Sequence, residues 1–83
     1  MTSSFVELGI LTKIRVMNKL AERLREVLKS RGWTRVQFAK EVGMSIGSAY
    51  DYCNGRREPS LDVLMQICNT LGETSDYMLG IVD

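Results

Sequence analysis

The sequence predicts an all-α domain of five short helices, because apolar residues recur at intervals of three and four and glycines follow the periodic segments. Gly32, Gly43, Gly55 and Gly72 each stand at or just past the end of such a segment, where a left-handed residue closes a helix. The predicted helices cover residues 19–31, 35–42, 46–53, 61–71 and 75–79. The short links between them leave no room for a sheet.

The first and fourth predicted helices carry the clearest apolar stripes. In helix 19–31 the stripe is opposed by a charged face, and in helix 61–71 it begins with the first residue. Separately from the stripes, Met44, Met65 and Met78 are expected to fill the core. The stripe residues are Leu20, Leu24, Val27 and Leu28 in the first helix, and Leu61, Leu64, Ile67, Cys68 and Leu71 in the fourth.

Each of the later helices is preceded by a residue suited to cap it. Thr34 and Gln37 form a capping box, in which Thr34 accepts from the Gln37 amide and Gln37 reaches back. Ser45 is placed to cap the third helix and Ser60 marks the start of the fourth, while the last short helix begins at Thr74 or Ser75.

The composition fits one small soluble domain without a catalytic centre. The 83 residues are 45% apolar and 25% charged, and they include two cysteines and no histidine. No CxxC pair or Cys/His cluster exists, so we expect no metal site and no cofactor. Without a histidine, a phosphate loop or a nucleophile–base spacing, the sequence does not predict an enzyme or a small-molecule substrate.

The cysteines and the apolar runs indicate the cellular compartment of the chain. Cys53 and Cys68 are expected to be buried thiols, which fits a reducing compartment. No apolar run is long enough to span a bilayer, and the opening residues do not resemble a secretory signal. We therefore expect a cytoplasmic protein that does not contact membranes.

The charges are unevenly distributed, although the net charge is only +1. Residues 18–57 contain nine Lys and Arg against four acidic residues, whereas residues 58–83 contain five acidic residues and neither Lys nor Arg. Such a chain can present one basic face to a polyanion. An ordinary solvated surface with accidental asymmetry explains the charges equally well.

Residues 1–17 are set apart as an arm or extension before the domain at 18–83. This segment is rich in β-branched and apolar residues, interrupted by Gly9. It is either a strand-like arm that pairs with a twofold mate, an extra helical turn, or an extension upstream of a start at Met17.

The pair of short helices around Gly43 carries the functional prediction. Ala39 is small enough for two helices to approach closely, Gly43 supplies the turn, and Ala49 and Tyr52 point back to the core. This arrangement projects helix 46–53 outward, where it can enter a major groove about 12 Å wide.

From Leu20 to Gly80 the chain resembles the Cro/repressor (Xre-like) helix-turn-helix family, which includes the DNA-binding domain of the phage lambda repressor. The shared elements are Thr34, Ala39, the turn 43–45, Ala49, the loop 54–60 and the ending at 71–72 and 76–80. They cover about three-quarters of the chain in the order found in that family. The resemblance implies a compact lambda-repressor-like fold that binds double-stranded DNA.

The resemblance also implies which residues contact DNA. Those that face bases are Ile46, Gly47, Ser48, Tyr50 and Asp51, and those that contact phosphates are Arg35, Lys40, Ser45, Asn54, Arg56 and Arg57.

Several of these residues have a structural interpretation as well. Ser45 caps a helix whether or not it contacts DNA, and Ile46 is either half-buried core or a reader of a thymine methyl. Tyr50 packs on a neighbour or contacts a phosphate, and Arg56 and Arg57 are alternatively solvated loop residues.

The recognition helix departs from the usual chemistry of base readout. It has no Arg, Lys or Gln, which make the best bidentate base contacts, and it carries Asp51, which phosphates repel. We therefore expect specificity to depend on van der Waals contacts and on DNA deformability.

Two functions remain open at this stage. The first is a sequence-specific transcription regulator, repressor-like, that binds as a homodimer through residues 72–83 or the N-terminal arm. The second is a protein-interaction module or antitoxin-like partner protein on the same scaffold, as the acidic half of the chain suggests.

Overall fold

A computed structural model describes residues 19–81, and these are helical with short connections. We label the helices α1 (19–31), α2 (Arg35–Val42), α3 (Ile46–Cys53), α4 (Leu61–Leu71) and α5 (Ser75–Met78). No strand occurs within 19–81, so the predicted all-α class is confirmed. The predicted last helix was one residue too long, since α5 ends at Met78. The predicted arm at 1–17 lies outside the described residues.

Each of α2–α5 is preceded by a hydroxyl residue whose side chain accepts from an otherwise unpaired backbone amide of the first turn. Thr34 accepts from the Gln37 amide at 3.1 Å, and Ser45 and Ser60 cap α3 and α4 in the same way. For α5 the cap is Thr74, one of the two residues that the sequence suggested.

The return half of the predicted capping box at Thr34 does not form. The Gln37 side chain instead donates from Nε2 to Oε1 of Glu41 at 2.6 Å, one turn further along α2. In a capping box the side-chain oxygen of Gln37 would accept from the backbone N–H of Thr34. Here the side-chain amide donates instead to a carboxylate, and this charge-assisted bond between residues four apart also supports the helix.

One hydrophobic core joins all five helices. α2 packs against α3 and α4, and α4 packs against α5. Cys53 and Cys68 are free buried thiols, as predicted. The core residues are Leu20, Leu24, Val27, Leu28, Phe38, Ala39, Ala49, Tyr52, Cys53, Leu64, Ile67, Cys68, Leu71 and Met78, with Met44 and Val42 packed against them.

Two residues assigned to this core were placed wrongly. Leu61 is 72% exposed and Met65 is 48% exposed. They lie four residues apart on one side of α4, and the buried stripe of that helix begins only at Leu64. Leu61 is the first residue of the helix, so a periodic pattern assigns it to the stripe although no other described residue covers it fully.

Two arginines of α1 contact the last two helices of the domain. The guanidinium of Arg31 donates a hydrogen bond to the carbonyl of Leu71 at the end of α4, where a cation also complements the helix dipole. Arg23 lies over the ring of Tyr77 in α5, 4.3 Å from its centroid. These contacts hold α1 against α4 and α5. None of the helices in the described part of the chain has the length and apolar character needed to cross a membrane.

Candidate nucleic-acid interface

A tight turn fixes the orientation of α3 relative to α2. Gly43 ends α2 in the left-handed conformation, with φ of 84°. Its N–H donates to the carbonyl of Ala39 at 2.8 Å, and the N–H of Met44 donates to the same carbonyl at 2.9 Å. Ala39 is buried and has only a methyl group, so α3 approaches α2 closely. The predicted helix-turn-helix is therefore present.

Helix α3 has a buried side and an exposed side. Ala49, Tyr52 and Cys53 face the core. On the other side Ile46 is 49% exposed and Tyr50 is 45% exposed, so about half of each side chain is open to a ligand. All five predicted base-facing residues keep solvent contact: Ile46, Gly47 and Tyr50 are exposed, and Ser48 and Asp51 are half-buried.

Arg57 is bound to α3 by two contacts. Its Nη1 donates to Oγ of Ser48 at 3.1 Å, and its guanidinium carbon lies 5.5 Å from the centroid of the Tyr52 ring. The Ser48 hydroxyl in turn accepts from Oγ of the cap residue Ser45 at 2.9 Å. Arg57 is therefore held beside the first turn of α3, although its side chain also remains exposed to solvent.

Arg35 reaches α3 from the start of α2. Its guanidinium carbon lies 5.5 Å from the centroid of the Tyr50 ring, so Tyr50 packs on a neighbour while remaining half exposed. Its Nε is buried and has no hydrogen-bond partner among residues 19–81. Helix α3 has no basic residue of its own, but its tyrosines hold two arginines supplied by other segments.

The remaining predicted phosphate contacts lie around the same helix. Ser45 and Asn54 are its N-cap and C-cap residues, and both are exposed. Lys40 and Arg56 are also exposed, and no side-chain contact to another described residue holds either of them. These four side chains are therefore accessible to a ligand.

Sequence reasoning missed one cation of this region. Nη1 of Arg25 in α1 donates to the carbonyl of Cys53 at 2.6 Å, at the C-terminal end of α3, where a positive charge is favourable. Burial raises the pKa of the Cys53 thiol, and the positive charges of Arg35 and Arg25 partly offset that rise. Arg25 and Cys53 are 28 residues apart, so no local spacing connects them, and only the basic character of α1 points to Arg25.

The described residues contain no group of three or more His, Cys, Asp or Glu side chains arranged to hold a metal ion. The chemistry of this region is that of cations, hydroxyl groups and aromatic rings on a protruding helix. Such a surface suits a polyanion with a groove.

The fold and this surface define a class of DNA-binding domains, the helix-turn-helix proteins. The chain belongs to the helix-turn-helix family, whose model matches residues 24–78. The resemblance seen in the sequence is confirmed.

A curated relative is the HTH-type transcriptional regulator ImmR of Bacillus subtilis (strain 168), which is 28% identical over 61 residues. The match covers 74% of this chain and 48% of the relative, so the chain spans about half the length of that protein. No solved structure matches the chain.

Proposed function

We propose that this chain is the DNA-reading part of a repressor-like transcription regulator, which inserts α3 into the major groove of duplex DNA. The observation that carries the proposal is that two arginines from other segments are held against α3, one on the exposed ring of Tyr50 and one on the buried ring of Tyr52. Arg35 and Arg57 each lie 5.5 Å from the centroid of an α3 tyrosine ring. Cations held beside a protruding helix fit the phosphates that border a groove.

The restrained arginines and the unrestrained cations would have distinct roles in binding phosphate. Arg35 and Arg57 are restrained before binding, so they lose less conformational entropy when they contact phosphate. Lys40 and Arg56 are unrestrained and add charge, and the hydroxyl of Ser45 and the amide of Asn54 offer neutral contacts. Together these residues supply sequence-independent affinity that falls with salt.

Base recognition by α3 is mostly apolar in this proposal. Ile46 and Tyr50 present apolar surface that fits thymine methyl groups, and Gly47 lets the backbone come close to the bases. Ser48 already shares its hydroxyl with Ser45 and Arg57, and Asp51 can accept from the amino group of a cytosine. Specificity then rests partly on how easily each sequence deforms.

A homodimer is the second part of the proposal. One helix-turn-helix reads only a few base pairs, and two copies on half-sites roughly 34 Å apart read enough to be selective. Ile81, in the segment expected to form the dimer surface, is 66% exposed, which leaves apolar area available to a second copy. We expect such a regulator to act in the cytoplasm.

Selection of bound sequences from a random duplex pool, at two salt concentrations, tests the proposal. The control is a double variant, Arg35→Ala with Arg57→Ala, which removes both arginines and leaves the sequence of α3 unchanged. We expect enrichment of a sequence with two half-sites one helical turn apart, lower recovery at higher salt, and no enrichment with the double variant. Sedimentation with the enriched duplex should give two chains per duplex.

Equal recovery at both salt concentrations, or a pool without enrichment, would remove the proposal. A protein-interaction module would then be the better interpretation, because the same fold can bind a protein partner instead of DNA. One chain per enriched duplex would contradict the homodimer alone.

A further inference from the structure

A hollow lies between α1 and the start of α2, and one of its walls is Arg35, whose guanidinium also lies near the ring of Tyr50. Its walls are Arg25, Leu28 and Lys29 of α1, Trp33 of the link, and Arg35, and its volume is about 260 Å³. This is slightly smaller than the cavities that hold drug-sized ligands. It has room for a small molecule.

The charge around this hollow is one-sided. Three of its five lining residues are cationic, and in the part of the chain described here no carboxylate lies within ion-pairing distance of Arg25, Lys29 or Arg35. One N–H group of Arg25 donates to the carbonyl of Cys53, and its guanidinium has further N–H groups that can donate to a ligand. The buried Nε of Arg35 lacks a partner among the same residues.

The other two walls are apolar. Leu28 is a core residue, and Trp33 packs against the core from the link, with Arg31 5.4 Å from the centroid of its ring. Cations beside an aromatic ring fit a ligand that has an anionic end and an apolar end. A phosphate monoester carries between one and a half and two negative charges near neutral pH, which matches three cations better than a carboxylate does.

We propose that this hollow binds a small phosphate monoester, with the phosphate held by Arg25, Lys29 and Arg35 and the organic group against Trp33 and Leu28. Binding at this site does not depend on the proposed function. Its consequence does, because Arg35 is shared with the surface proposed to contact DNA. A ligand that draws the Arg35 guanidinium into the hollow weakens its contact with a DNA phosphate.

The chain carries its own reporter for this site, since Trp33 is its single tryptophan. The experiment titrates the protein with phenyl phosphate at constant ionic strength and follows the tryptophan emission, with phenol and inorganic phosphate as the two halves of the probe. We expect a saturable change with phenyl phosphate, weaker binding of inorganic phosphate, and no change with phenol at the same concentrations.

A matched pair of variants tests the assignment of the cations. Lys29→Gln removes a cation of the hollow and should weaken phenyl phosphate binding roughly tenfold, the usual effect of losing one charge-assisted contact. Lys19→Gln removes a cation of the same helix that does not line the hollow and should leave binding unchanged. Both side chains reach solvent, so both variants should fold, and thermal unfolding verifies this.

Equal affinities of the two variants for phenyl phosphate, or an emission change that never saturates, would overturn the proposal. A short duplex that alters the emission of Trp33 when phenyl phosphate does not would also overturn it, and would assign the hollow to the DNA backbone. A chain that binds phenyl phosphate but no duplex would support this site while contradicting the proposed function.

Discussion

Arg57 and Ser48 are joined by a hydrogen bond of 3.1 Å that ties the loop after α3 back to the first turn of that helix. The bond spans nine residues and lies at the surface. Because the guanidinium also lies over the ring of Tyr52, the loop cation has a defined place beside the recognition helix before any ligand arrives.

The first prediction separates the charge of Arg57 from its geometry. Arg57→Ala should lower affinity for the enriched duplex and reduce the slope of log affinity against log salt by about 0.9, the value for one lost phosphate contact. Arg57→Lys should keep that slope and still bind more weakly, because an ammonium cannot keep both the stacking on Tyr52 and the planar hydrogen bond. Fluorescence anisotropy at several salt concentrations measures both quantities.

Ser48→Ala is the matched control for this series. It removes the hydrogen-bond acceptor but no charge, so the salt slope should stay unchanged while the affinity falls less than in Arg57→Ala. A salt slope identical in the wild-type chain and in Arg57→Ala would show that Arg57 does not contact phosphate.

The second prediction concerns the pair Arg35 and Tyr50. A double-mutant cycle with Arg35→Gln and Tyr50→Leu should give a coupling of roughly 0.5–1 kcal/mol in the free energy of unfolding, the size of a surface cation–aromatic contact. Urea unfolding of the four proteins measures it.

Replacing Tyr50→Leu by Tyr50→Phe in the same cycle is the control. Phenylalanine keeps the ring under the guanidinium and should therefore retain most of the stabilisation lost in Tyr50→Leu. Additive effects of Arg35→Gln and Tyr50→Leu would mean that the 5.5 Å approach contributes nothing to stability.

Much of the fold was predictable because its determinants are local. A cap such as Ser45 acts on an amide three residues away, and the glycine at 43 closes a helix through its own backbone, so both are visible in a short stretch of sequence. Apolar periodicity located the helices for the same reason. It failed at Leu61, because periodicity shows which residues share a side of a helix and not how far the covering surface extends. Met65 was assigned to the core only as an apolar side chain, and it is exposed as well.

The site was predictable as a set of positions and not as a set of contacts. Sequence patterns and the family resemblance selected Arg35, Arg57 and Ser48 separately. That Arg57 donates to Ser48, or that Arg25 donates to the carbonyl of Cys53, depends on rotamers and on the packing of α1 against α3. Such pairings form only in the folded chain, and the number of residues between the two partners follows no fixed rule that could be recognised in the sequence.

The third prediction follows from the buried thiol of Cys53. Burial raises its pKa above the ordinary value of 9.0, so the folded chain favours the protonated thiol. The resulting stabilisation is fully present below pH 9 and is lost as the pH rises through the higher pKa of the folded state. The free energy of unfolding should therefore fall in alkaline solution more steeply in the wild-type chain than in Cys53→Ala, and urea unfolding at a series of pH values measures the difference.

Thiol alkylation by iodoacetamide gives a second readout in the variant Cys68→Ala, which leaves Cys53 as the only thiol. The native protein should react slowly, and the reaction should accelerate when urea unfolds it. Equal alkylation rates in the native and the unfolded protein would contradict the protected thiol.

The last prediction uses two glycines that a methyl group affects in opposite ways. A Cβ at Gly43 or at Gly47 would meet nothing within 4 Å, so neither substitution causes a clash. Gly43 has φ of 84° and Gly47 lies in the first turn of α3. Gly43→Ala should therefore destabilise the fold by roughly 1–2 kcal/mol, the cost of a left-handed backbone, whereas Gly47→Ala should stabilise it by roughly 0.5–1 kcal/mol. Thermal unfolding of the two variants beside the wild-type chain measures both signs.

Gly47→Ala also distinguishes stability from recognition. Its added methyl projects from the exposed part of α3, so a helix that enters the major groove should bind the enriched duplex more weakly even though the domain itself is more stable. An unchanged duplex affinity would mean that the backbone at Gly47 stays clear of the bases, and a lowered stability would mean that the first turn of α3 is not held as a regular helix.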